Sequence, residues 1–211
     1  MNREQLWRWG FYCIGMIILA LGIAMTIKGD RLGIAPWDVL HVGLYMNYGL
    51  TIGTWNIIVS ASLLVIIYFL SKKMPSLPTW LNIFVIGIFI DIYLYILPSV
   101  SSITGNIVMF VSGILIMGIG IGLYVAPEIG AGPRDSLMLY IGKRTGWGLR
   151  KVRTLLEAAA AIVGWVLGGP VGIGTIIMAI LLGQVVHYSI SRFRFLLEKC
   201  QNIGDSQLKA E

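Results

Sequence analysis

The chain has 211 residues, of which 57% are hydrophobic and 12% charged, with a mean hydropathy of +0.82. Soluble domains carry about 25% charged residues, so this composition excludes an ordinary soluble domain and points to a lipid bilayer as solvent. The net charge of +6 comes from Lys and Arg that flank apolar runs and form no broad polar face, which speaks against a nucleic-acid partner.

A helix needs about 20 apolar residues to cross the hydrocarbon core. The first such run, 9–27, is too long for a cleavable signal core, and no small-residue cleavage site follows it. After Lys28 and Arg31 comes Gly33-Ile34-Ala35-Pro36-Trp37-Asp38-Val39-Leu40. Proline suits a first helical position, where its missing N–H would be unpaired anyway. A short helix is therefore expected over 36–47, too short to span at about 1.5 Å per residue. The second span, 51–70, ends at Lys72-Lys73-Met74-Pro75-Ser76, and the third, 79–97, ends at Pro98-Ser99-Val100. The fourth, 106–125, leads into Gly130-Ala131-Gly132-Pro133-Arg134-Asp135-Ser136-Leu137 and a second short helix over 133–145. Spans five and six are expected over 152–168 and 172–190, divided by Gly168-Gly169-Pro170. The tail, 192–211, is polar beyond Lys199 and expected to fray.

The pattern G-x-x-P-x-D-x-L thus occurs twice. An offset of 96 to 98 aligns Gly22 with Gly120, Pro36 with Pro133, Asp38 with Asp135, Thr79 with Thr175 and Gly87 with Gly183, and sets Asp91 opposite His187. Three spans per half is an odd number, so the second half must enter the membrane upside down. The expected fold is an all-α membrane protein, one transmembrane domain over 1–211. Its six transmembrane helices form two inverted three-helix repeats, about 9–97 and 106–190, each with a short Pro-led half-helix. With the N-terminus inside, 14 of the 16 Lys and Arg fall on the cytoplasmic side and only Lys28 and Arg31 outside. Both termini are therefore expected in the cytoplasm.

Each Pro-led helix can lie in the interface or dip back as a re-entrant half-helix that aims its N-terminus at a midplane site. Asp38 and Asp135 fall at N3, where an acid favours the helix dipole. They are either caps or a pair of carboxylates on a polar path. Arg134, beside a helix N-terminus, is suited to hold an anion. Asp91 lies about 18 Å past Thr79 along its span, a costly depth for an acid that faces lipid. His187 near the end of span six, and His41 one turn after Trp37, are either titrating groups or satisfied histidines. Arg153 and Glu157 are spaced for an ion pair along one helix face. Pro36, Asp38, His41, Asp91, Pro133, Arg134, Asp135, Arg153, Glu157 and His187 make up the candidate substrate or ion path. Cys13 and Cys200 lie too far apart for a disulfide framework or metal-ligand spacing, and no cofactor is implied. No nucleophile–base–orienter set appears, so an enzyme is not expected.

At Gly33-x-x-Pro36-Trp37-Asp38-Val39-Leu40-His41-x-Gly43-Leu44, Gly132-Pro133-Arg134-Asp135-Ser136-Leu137-Met138, Val152-Arg153-x-x-x-Glu157 and Gly168-Gly169-x-Val171-Gly172-Ile173-Gly174-Thr175, the chain resembles the YczE/YyaS/YitT group of bacterial integral membrane proteins. Within that group it resembles the YczE-like members. Leu77-Pro78-Thr79 departs from the pattern, standing where a Gly-Thr pair like Gly174-Thr175 is expected. The resemblance implies a bacterial inner-membrane protein and assigns no activity. From the repeat, the expectation is a small secondary transporter or permease for a small molecule or ion, in contact with lipid and possible as a homodimer. Two alternatives stay open: a substrate-capture subunit of a larger importer, and a non-transporting accessory or scaffold protein.

Overall fold

The computed structural model describes residues 3–208 apart from 131, with side chains as far as Cys200. Among these residues every regular element is helical. In order they are α1 (Arg3–Lys28), a 3₁₀ turn (Asp30–Leu32), α2 (Pro36–Tyr48), α3 (Ile52–Ser71), α4 (Leu77–Ile96), α5 (Ile103–Val125), α6 (Pro133–Thr145), α7 (Leu149–Val166) and α8 (Ile173–Leu208).

Local chemistry sets the ends of the two short helices. A proline ring drives the preceding residue out of the α region. Ala35 and Gly132 are accordingly extended, with ψ of 147° and 163°, and α2 and α6 start at the prolines that follow. Both helices stop at a glycine of positive φ, Gly49 at 71° and Gly146 at 72°. That conformation costs glycine least. Thr51 and Ser102 cap α3 and α5, each side-chain oxygen accepting the N–H three residues on.

Five helices are long and apolar enough to cross a membrane: α1, α3, α4, α5 and α8 as far as Cys200. The expected fifth span, 152–168, is not among them. Its helix, α7, has 18 residues and carries Arg150, Lys151, Arg153 and Glu157 in its first half, so its apolar stretch covers only the second half. α8 runs through Leu208, and residues 192–208 contain no proline to stop it. Lys209 lies outside the described residues.

The interior is built on α1 and α5, which lie along each other. Gly15, Gly22 and Gly120 lie where a Cβ would run into the backbone of the facing helix. Small residues at such seams let helix backbones approach and gain dispersion contacts in lipid. Tyr12, Met16, Phe110, Ile114 and Met117 fill the core around them. Arg8 ties the two ends together by donating two hydrogen bonds to the Pro127 carbonyl, at 3.0 and 2.6 Å. α4 packs on α1 and α8 on α5, while α2 packs on α7 and α3 on α6. Gly43 meets Gly164 in the α2–α7 contact, where a Cβ at Gly43 would lie 2.7 Å from the Gly164 carbonyl oxygen. α3 and α4 also lie against each other, whereas α7 and α8 barely touch.

Candidate functional site

A cavity of about 360 Å³ opens in the middle of the bundle, within the size range of small-ligand pockets. The two Pro-led helices end in it from different sides: Pro36, Trp37 and Asp38 from α2 meet Pro133, Arg134 and Asp135 from α6. The Arg134 guanidinium carbon lies 4.8 Å from the centre of the Trp37 ring, close enough for a cation–π contact. The two copies of the motif therefore touch through the one position at which they differ most. Both helix N-termini face the same space, and their partial positive ends favour negative charge there.

The acids answer that field. Asp38 is 1% exposed and Oδ1 accepts no hydrogen bond among the described residues. His41 lies behind it, fully buried, with Nδ1 3.6 Å from Asp38 Oδ1 and neither ring nitrogen hydrogen-bonded among the described residues. That separation is beyond a hydrogen bond. Asp135 and the Tyr124 hydroxyl both lie beside Gly132 in the cavity lining. Arg134 shares the cavity lining with both Asp38 and Asp135. From α7, Arg153 Nε donates to Glu157 Oε1 at 2.8 Å. Both line the cavity, yet the Arg153 side chain is 53% and Glu157 25% exposed. That exposure puts the pair at the cavity mouth.

Seven of the ten expected residues thus meet at one place: Pro36, Asp38, Pro133, Arg134, Asp135, Arg153 and Glu157. His41 backs it without reaching it. Asp91 and His187 stand apart. His187 is exposed on α8, outside the cavity lining. Asp91 closes the α3–α4 hairpin, its Oδ1 accepting the Gly53 N–H at 2.8 Å and its Oδ2 the Thr51 hydroxyl at 2.5 Å. A carboxylate on a helix N-terminus satisfies N–H groups that have no helical partner. Asp91→Asn is expected to lower stability by about 1–2 kcal/mol, read as an earlier melting transition of purified protein. A melt identical to wild type would remove Asp91 from this role.

Comparison with known proteins places the chain. Residues 6–191 match the model of a family of unknown function, DUF6198. The chain belongs to this family. It is 43% identical over 190 residues to the uncharacterized membrane protein YczE of Bacillus subtilis (strain 168), covering 90% of this chain and 88% of that one. It is 33% identical over 180 residues to the uncharacterized protein YyaS of the same organism, covering 84% and 89%. An uncharacterized protein of Haemophilus influenzae is 33% identical over 191 residues, covering 89% of this chain and 87% of its own. No solved structure matches. The kinship to YczE, with the five apolar helices, makes this a membrane protein in contact with lipid.

Every residue that lines the cavity falls inside the stretch that matches the DUF6198 family. The sequence reasoning passed over several of them: Trp37, Asn56, Ser60, Asn82 and Tyr124. A signal for two was available. The repeat offset of 97 carries Asn56 onto Arg153 and Ser60 onto Glu157. Each is a polar pair at i, i+4 on one helix face, turned toward the same cavity. Offsets of 96 to 98 likewise pair Leu19 with Met117, Ile23 with Ile121 and Ile86 with Leu182, all of them in the lining.

Proposed function

We propose that this protein is a small carrier that binds a polar or charged small molecule in the central cavity and passes it across the membrane. The observation that supports it most is the meeting of the two Pro-led helix ends, with their acids and Arg134, inside one cavity between membrane-spanning helices. Charges at such depth are costly and mark substrate or ion pathways by default. Short helices aimed at a central site are the recurring device of carriers built from inverted repeats.

The six-helix inverted-repeat plan, with both termini in the cytoplasm of a bacterial inner membrane, belongs to this proposal. In it α7 is the sixth crossing, and its charges face the cavity and the cytoplasmic surface. Exchange of the halves turns the α1–α4 contact into α5–α8 and the α2–α7 contact into α3–α6. The paired lining residues support a cavity on the axis that relates the halves. Such a carrier makes and breaks no covalent bonds.

The test begins with a thermal-shift screen, since a bound ligand stabilises the native state by mass action. Hits are then offered to proteoliposomes. Wild type is expected to accumulate the ligand, and Asp135→Asn to slow the initial rate by about tenfold, a loss of about 1.4 kcal/mol at the site. Binding with no movement of ligand across the bilayer would defeat the carrier and leave a capture subunit in its place. Transport unaltered in Asp135→Asn would defeat the assignment of the site.

A further inference from the structure

The two helical hairpins flanking the cavity are closed to different degrees. α3 and α4 are sealed. Gly87 and Gly53 bring their backbones together, a Cβ at Gly87 would lie 2.8 Å from the Gly53 carbonyl oxygen, and Asp91 fastens the α3 N-terminus. Their counterparts α7 and α8 leave a fissure. At Gly183, the offset mate of Gly87, a Cβ would meet no described atom within 4 Å. His187 takes the place of Asp91, and the Gly148 end of α7 has no side-chain cap. The cavity reaches into this fissure, since it is lined by Leu156 and Glu157 of α7 and by Ala179 and Leu182 of α8. Ala179 is exposed although it lines the cavity. Outside it, α7 and α8 carry exposed apolar side chains, Ile162 and Val163 on one and Ile176 and Ile180 on the other. The opening therefore leads to the hydrocarbon phase, with the Arg153–Glu157 pair as its polar landmark.

The interior calls for a ligand with both signs of charge. Among the described residues, Asp38 Oδ1 accepts no hydrogen bond, with His41 Nδ1 3.6 Å behind it, and Asn82 Nδ2 donates none. Both residues line the cavity. A buried polar atom without a partner is uncommon and calls for an explanation. Arg134 lines the same cavity as Asn82, Asp38 and Asp135, so an anionic group can share Arg134 with Asn82 while an ammonium group meets Asp38. We infer that the site takes a zwitterionic single-chain amphiphile from the membrane, its head in the cavity and its chain leaving between α7 and α8. The inference rests on the carrier proposal for the location of the site alone, and its own readout is labelling.

The protein is placed in phosphatidylglycerol nanodiscs with lysophosphatidylethanolamine that carries a photoreactive diazirine in its acyl chain, and labelled peptides are mapped. Labelling is expected to concentrate on Leu156, Ala179 and Leu182. Unlabelled lysophosphatidylethanolamine should compete, and glycerophosphoethanolamine, the same head without the chain, should not. Asp38→Asn should reduce labelling at these positions by about tenfold, the loss of about 1.4 kcal/mol of binding. Ala179→Phe, which narrows the fissure from the lipid side without touching the polar interior, should do the same. Labels spread evenly over all lipid-facing helices overturn the inference. So does competition by glycerophosphoethanolamine, or an α7–α8 face covered by a second copy and free of label. Transport of a water-soluble zwitterion without such labelling would retain the carrier and reject the amphiphile; labelling without transport would do the reverse.

Discussion

Gly22→Leu is expected to melt at least about 6–12 °C below wild type. The added side chain would point straight into the Met117 main chain, and a backbone cannot rotate aside as a side chain can. Overpacking of a core costs about 1–3 kcal/mol where side chains can yield, and more where the backbone must move. At the α1–α5 seam the whole interior must part, because Gly15 and Gly120 fix the same spacing on either side. For a chain of this size, about 3 kcal/mol corresponds to a melting temperature lower by about 6–12 °C. Gly183→Ala serves as the counterpart, since its side chain would enter open space, and it is expected to melt with wild type. Equal melting of Gly22→Leu and wild type would show that the seam is not what holds α1 and α5.

Arg134→Met is the second large effect. It leaves Asp38 and Asp135 in one cavity with their shared cation removed, and it also strips the cation from the Trp37 ring. Removing one partner of a fully buried ion pair costs about 3–5 kcal/mol because the charge left behind is uncompensated; Arg134 and Asp135 are half-buried, so the expected loss falls below that. Adding Asp38→Asn to Arg134→Met removes one of the two stranded carboxylates and is expected to restore a large part of that loss. Denaturant or thermal unfolding of the two single variants and the double variant measures this coupling directly. If the losses of the two single variants simply add in the double, Arg134 and Asp38 do not act on each other.

The parts of this fold that were legible in the sequence are those set by short-range chemistry. A proline dictates the conformation of the residue before it, so the starts of α2 and α6 at Pro36 and Pro133 could be read directly. The Arg153–Glu157 pair is likewise a matter of spacing on one helix. What depends on neighbouring helices was hidden. Depth along a span was a poor guide to Asp91, because its role is fixed by the N-terminus of α3 lying beside it. Span five was expected from its Ala-, Val- and Leu-rich latter half, while its first half carries the charges that set it apart from the five apolar helices. The contrast between Trp37 and Arg134 was plain in the two motifs, but an alignment offset holds no distance. Only the fold shows that these two side chains stack.

The glycine seam between α1 and α5 also sets a timetable. Gly22 waits for Met117, which is added 95 residues later. At a synthesis rate of about 5–20 residues per second, that is about 5–20 s. Through that interval α1 has emerged with its packing face uncovered, while α2, α3 and α4 are made in between. A ribosome that stalls before α5 leaves a membrane segment with half of its surface built for a partner that never arrives. Such a chain is marked for removal by the same glycines that make the finished protein stable.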